Sequence, residues 1–162
     1  MRNLIATFTL LGLLTSAACQ AADEPLKNLD PGQRKVVEKY LDMLKGKDKD
    51  DIYSGLAADQ AQLADLDGDG QAEMVLTWTA YFGNSQQTHV SVLAAKAQPG
   101  GKRRWHEAAQ VDVLGEAIKV TLASGNQIVI DSLTTGPKDP RCCPTQKVHK
   151  LWFYRGGKLL AQ

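Results

Sequence analysis

Apolar positions first gather into a helical stripe. Val36, Val37, Tyr40, Leu41 and Leu44 recur on one face, with Lys and Glu on the other. Asp30 suits the N-cap, Pro31 the first helical position, and Gln33 completes a capping-box spacing. Lys45 complements the negative end of the helix dipole, and Gly46 offers a stop. Residues 47–51 read as a solvated connector. Residues 52–64 carry no clear period and are expected to form a short helix or an irregular segment.

Beyond that point the period falls to two. Strands are expected over 73–80, 88–95, 105–113, 117–123, 127–131, 147–154 and 158–160. In 117–123, Ile118, Val120 and Leu122 are expected to point inward, against Lys119 and Thr121. Ser124-Gly125-Asn126 turns this segment into the next, giving a hairpin, and Gly156-Gly157 makes a second tight turn. Residues 81–87 and 133–145 read as loops. The pattern implies an α+β fold, with an N-terminal helix packed on a twisted, mostly antiparallel sheet of about six to eight strands.

The start of the chain is different. Arg2 supplies a positive end, Leu4 to Leu14 an apolar core, and Ser16-Ala17-Ala18 a small-residue exit. The apolar run is shorter than the roughly 20 residues of a membrane span. Residues 1–18 therefore read as a signal peptide, 19–28 as a tether and 29–162 as one domain. Cys19 directly after the exit resembles the lipidated cysteine of bacterial lipoproteins, although Ser16 stands where that box carries Leu. Cleavage after Ala21 or Ala22 is the alternative. The address is thus the periplasm, with a lipid on Cys19 as membrane anchor, or a soluble periplasmic or secreted form. Lys plus Arg number 19 and Asp plus Glu 18. That balance offers no basic excess for nucleic acid.

Candidate chemistry centres on Asp65-Leu66-Asp67-Gly68-Asp69-Gly70-Gln71-Ala72-Glu73, which runs straight into Met74-Val75-Leu76-Thr77-Trp78. Carboxylates crowded this closely repel unless a hard cation sits among them, and Ca²⁺ takes six to eight oxygens at about 2.3–2.6 Å. The expected ligands are side-chain oxygens of Asp65, Asp67 and Asp69, the main-chain carbonyl of Gln71, and the carboxylate of Glu73, with Gly70 allowing the sharp turn. Leu76 stands where a helix–loop–helix calcium site needs its bidentate Glu. The acidic ligand has moved forward, and a strand follows instead of a helix. The loop looks like the calcium loops of integrin-type propeller blades, which carry Asp where Glu73 stands. A bare Asx turn without an ion is the competing reading.

Cys142 and Cys143 are adjacent. Neighbouring Cα atoms lie about 3.80 Å apart, short of the about 4.4–6.8 Å that ordinary disulfides span. A strained vicinal disulfide, buried thiols, and redox or metal chemistry all remain open. His89, His106 and His149 each fall in an expected strand, and none belongs to a recognisable nucleophile pattern. No catalytic residues are assigned, so the chain reads as a binding protein. The alternatives are a hydrolase, which needs a pocket bringing a histidine near an acid outside Asp65–Glu73, and a redox or metal sensor using Cys142 and Cys143. Tyr81 and Phe82 are the candidates for a partner contact.

Cys19, the 65–73 loop and Asp139-Pro140-Arg141-Cys142-Cys143-Pro144 together resemble a recurrent group of small bacterial periplasmic proteins and lipoproteins of poorly defined function. By architecture alone there is also a distant similarity to periplasmic immunity lipoproteins that block peptidoglycan-degrading effectors. The resemblance implies Ca²⁺ in the loop and a protein partner in the cell envelope.

Overall fold

The computed structural model describes residues 26–50, 52–101, 103–140 and 143–162. The expected signal peptide 1–18, Cys19, most of the tether and Cys142 lie outside the described residues. Among those described, one helix precedes eight strands: α1 (Pro31–Lys47), β1 (Gly55–Ala64), β2 (Glu73–Phe82), β3 (Ser85–Ala97), β4 (Arg103–Asp112), β5 (Glu116–Leu122), β6 (Gln127–Thr134), β7 (Gln146–Arg155) and β8 (Lys158–Ala161). All pairing is antiparallel between chain neighbours, but it falls into two sheets, β1-β2-β3-β4 and β5-β6-β7-β8. The fold is mainly β with one helix, rather than a helix on a single sheet.

The helix starts as its capping residues dictate. Asp30 Oδ1 accepts from Gln33 N at 2.8 Å, and Gln33 Oε1 accepts from Asp30 N at 2.9 Å. It runs one residue past Gly46, to Lys47. Its buried face, Val37 and Tyr40, packs with Leu29 on Met74, Leu76, Trp78 and Leu93 of the first sheet. The opposite face of that sheet, Val75, Val90 and Val92, meets Val120, Ile128, Ile130 and Tyr154 of the second. Strand β2 is thus covered on both sides, which is why its apolar run does not alternate.

Tyr40 and Trp78 carry polar atoms into this core. Ser91 Oγ accepts from Trp78 Nε1 at 2.9 Å and bonds Tyr40 Oη at 2.9 Å. The Tyr40 hydroxyl also donates to Glu107. A buried hydroxyl thereby satisfies two aromatic residues from different elements.

Three local expectations change. Residues 55–64 form a strand, β1. Ala57, Ala58 and Ala61 have little intrinsic strand preference, so pairing with β2 and burial of Ala61 under the helix decide their conformation. Residues 81 and 82 belong to β2, not to a loop, and Phe82 pairs Ser85 across a two-residue Gly83-Asn84 turn. Ile118 points outward and is 56% exposed. The β5–β6 register slips between Ala117 and Lys119, so Ile118 is the extra residue of a bulge and loses the inward alternation.

The split into two sheets occurs at 113–115. Val113 N donates to Thr88 O at 2.9 Å, holding the end of β4 against β3. Ser132 Oγ donates to Leu114 O at 2.8 Å, holding the next residue against β6. Gly115 has φ 83°, and a Cβ there would stand 2.0 Å from Leu133 O. Only glycine permits so close a crossing. Farther along, Gln62 Nε2 donates to Val120 O at 2.8 Å and ties β1 to β5 across the gap between sheets.

Candidate metal centre

The acidic loop joins β1 to β2, with Ala64 and Glu73 as paired residues at its base. Gly68 and Gly70 take φ of 78° and 83° with open space around them, so what glycine supplies is the left-handed backbone. Main-chain N–H groups then fix the carboxylates. Asp65 accepts from Gly68 N at 2.8 Å and from Gly70 N at 2.9 Å. Asp67 Oδ1 accepts from Asp69 N at 3.1 Å, and Asp69 Oδ1 from Gln71 N at 2.7 Å. Leu66 is buried in the core between the sheets, and its N–H donates to Glu73 Oε2 at 2.8 Å. The loop is thus pegged to the fold through one apolar side chain and one carboxylate.

Asp65, Asp67 and Glu73 each present an oxygen within 4.8 Å of the others. The two aspartates are exposed, whereas Glu73 is only 4% exposed. This set could hold a metal ion. Asp69 lies outside it, its carboxylate turned to the Gln71 amide groups. The Gln71 side chain in turn accepts a hydrogen bond from the Arg103 guanidinium.

The electrostatics favour a cation. Burial raises the Glu73 carboxyl above its ordinary value; the Leu66 N–H opposes this, and the charges of Asp67, Asp69 and Asp65 add to the rise. The Tyr154 phenol is also raised, by burial first and then by the charges of Glu73, Asp67 and Asp69. A hard cation bound by oxygens would relieve both.

Compared with known proteins, the chain matches no family model, no curated protein and no solved structure. The site must be read from its own residues.

Other candidate residues are scattered. Tyr81 is 37% exposed at the end of β2, while the Phe82 ring is half-buried against Tyr53, with centroids 5.3 Å apart. Cys143 is exposed in a connection organised by Asp139. The Asp139 carboxylate accepts from Gly136 N at 2.8 Å, from Thr145 N at 2.7 Å and from the Thr145 hydroxyl at 2.9 Å. Those donors hold its carboxyl below the ordinary value. Two histidines meet carboxylates across strands: His89 Nδ1 lies 2.8 Å from Asp112, and His149 Nδ1 lies 2.7 Å from Asp131. His89 is stacked on Trp78 at 4.2 Å with its Nε2 buried and unpartnered, and His149 is exposed on the second sheet. Neither pair lines the groove beside α1, the cleft between the sheets or the hollow bounded by Asn28 and Leu122.

Sequence reasoning missed Arg103 and Tyr154 beside the loop, since both come from distant strands. It also missed a polar cleft of about 380 Å³ between the sheets. Its floor carries Thr77, Thr79 and Thr88, buried where valines would serve a dry core. At its rim Asp59, the extra residue of a bulge in β1, accepts from Thr79 Oγ1 at 2.6 Å. Alternating Thr in 77–79 was the available signal.

Proposed function

We propose that this protein is a calcium-stabilised binding protein of the bacterial cell envelope, of the immunity or inhibitor kind, which engages a protein partner without catalysis. The observation that carries the calcium reading is the set of Asp65, Asp67 and Glu73 oxygens within 4.8 Å, one of them on a carboxylate 4% exposed. Oxygen-only donors select hard cations, and Ca²⁺, which accepts irregular sets of about six to eight oxygens, suits three loop carboxylates supplemented by water better than Mg²⁺ with its rigid octahedron. Affinity is modest, with Kd around 10⁻⁴–10⁻³ M as in extracellular modules. Calorimetric titration should give one site for Ca²⁺, lost in Asp67→Ala. Absence of saturable heat, with identical melting in calcium and chelator, would overturn the metal reading.

The partner reading rests on Tyr81 and Ile118. Both are exposed and both border the polar cleft, where they stand as apolar surface among the charged Glu116 and Lys119. Tyr81→Ala should weaken capture of the partner from envelope extracts and leave melting unchanged. The envelope address rests on the first residues of the sequence. Incorporation of labelled fatty acid, abolished in Cys19→Ser, would support the lipid anchor; a soluble periplasmic form would show none.

The hydrolase alternative gains the two His–Asp pairs but not the pocket it needs, since neither pair lines the groove beside the helix or the cleft between the sheets. A hydrolytic activity lost in both His149→Ala and Asp131→Asn would establish it.

A further inference from the structure

A second surface adjoins the acidic loop through Arg103, whose guanidinium donates to the Gln71 side chain. The helix lies over β1 and β2, and beside it a groove of about 710 Å³ opens over the margin of β4. One wall is the helix stripe Lys39, Met43 and Lys47, spaced four apart and therefore aligned. The other is the β4 ladder Arg103, Trp105 and Glu107, alternate residues of one strand face. Tyr40 and Leu93 form the floor.

The chemistry of these walls is mixed in a definite way. Met43 is 41% exposed and Trp105 half-buried, so apolar surface faces the opening. Lys39 and Lys47 are exposed and make no ion pair among the described residues. Arg103 reaches only the neutral Gln71 side chain. The one acid of the two walls, Glu107, already accepts the Tyr40 hydroxyl. With Arg104, which also lines the groove, four cations face one engaged carboxylate around an apolar floor. The volume is that of a small-ligand site rather than of a packing defect.

We infer that this groove binds a small amphiphilic anion, its apolar body against Met43, Leu93 and Trp105 and its carboxylate or phosphate head against Lys39, Lys47 and Arg103. Lysine stems extend the apolar wall while their ammonium groups reach the head.

The test is calorimetric titration of the full domain with decanoate and decyl phosphate, with decanol and decyltrimethylammonium as controls. One saturable site for both anions is expected, at least tenfold tighter than for either control, and weakened severalfold by raising salt from 50 to 500 mM through screening of the head. The double variant Lys39→Glu/Lys47→Glu should lose at least tenfold while melting as the parent does, since both side chains are exposed. Met43→Asp should act likewise, and Lys119→Glu, on the far cleft, should not. Equal binding of decanol and decanoate, unchanged binding in the double variant, or binding only to phosphatidylglycerol vesicles and not to the free anions would each overturn the inference.

Discussion

The most informative perturbation is Glu73→Gln. It preserves shape and keeps an oxygen for the Leu66 N–H, which now lies 2.8 Å from Glu73 Oε2. It deletes one buried negative charge facing three aspartates, the arrangement that raises the Glu73 carboxyl. Without a cation the parent bears that repulsion and the variant does not. In chelator the variant should therefore melt no lower than the parent, and higher if anything. With 10 mM Ca²⁺ and Kd of 0.1–1 mM, the parent gains about 1.4–2.7 kcal/mol by mass action. For a domain of this size that is a rise of about 4–12 °C. The variant has lost its most buried ligand and should gain little. The two thermal scans, with and without calcium, should thus reverse their order. If Glu73→Gln instead lowers melting equally in both conditions, Glu73 is a structural acceptor for Leu66 and not a cation ligand.

Other expectations follow from single contacts. Ser91→Ala removes the oxygen shared by Trp78 and Tyr40, leaving a buried indole N–H unpaired, and urea unfolding should show a loss of about 1–3 kcal/mol. Gly115→Ala drives a Cβ into Leu133 O at a positive φ and should cost more than about 3 kcal/mol, read as loss of soluble folded protein or a large drop in melting temperature. Asp139→Asn should speed hydrogen exchange at the Gly136 and Thr145 amides. Because the Asp139 carboxyl is held below its ordinary 3.8, its contribution is present above that pH and is lost as pH falls through the lower folded value. The same amides in the parent should deprotect on acidification, and a flat profile would refute the role.

What the sequence disclosed was local. The helix cap, the acidic turn and the hairpin around Gly125 depend on residues a few positions apart, and they formed where their chemistry placed them. Strand β1 was hidden because its alanines and glutamines acquire their conformation from β2 and the helix, not from themselves. The outward turn of Ile118 hinged on a one-residue slip against β6, which no alternation within 117–123 encodes. The second sheet was hidden for a related reason: its separation rests on the bond from Ser132 to Leu114 and on the space that Gly115 leaves. The candidate-site carboxylates of Asp65, Asp67 and Glu73 were legible as neighbours, whereas the exclusion of Asp69 from their set was not. Arg103 and Tyr154 were not, because register alone brings them to the loop.

Because every strand pairs with the strand next to it in the chain, each half of the molecule is a continuous stretch that winds back and forth without borrowing from the other. Among the described residues, the peptide around Leu114 is the one covalent link between the halves. Cut there, the polypeptide should yield one fragment carrying α1 to β4 and one carrying β5 to β8, able to find each other and rebuild the whole through the valine and isoleucine seam they share. Such a split pair would turn assembly itself into a reporter, with the acidic loop confined to one fragment.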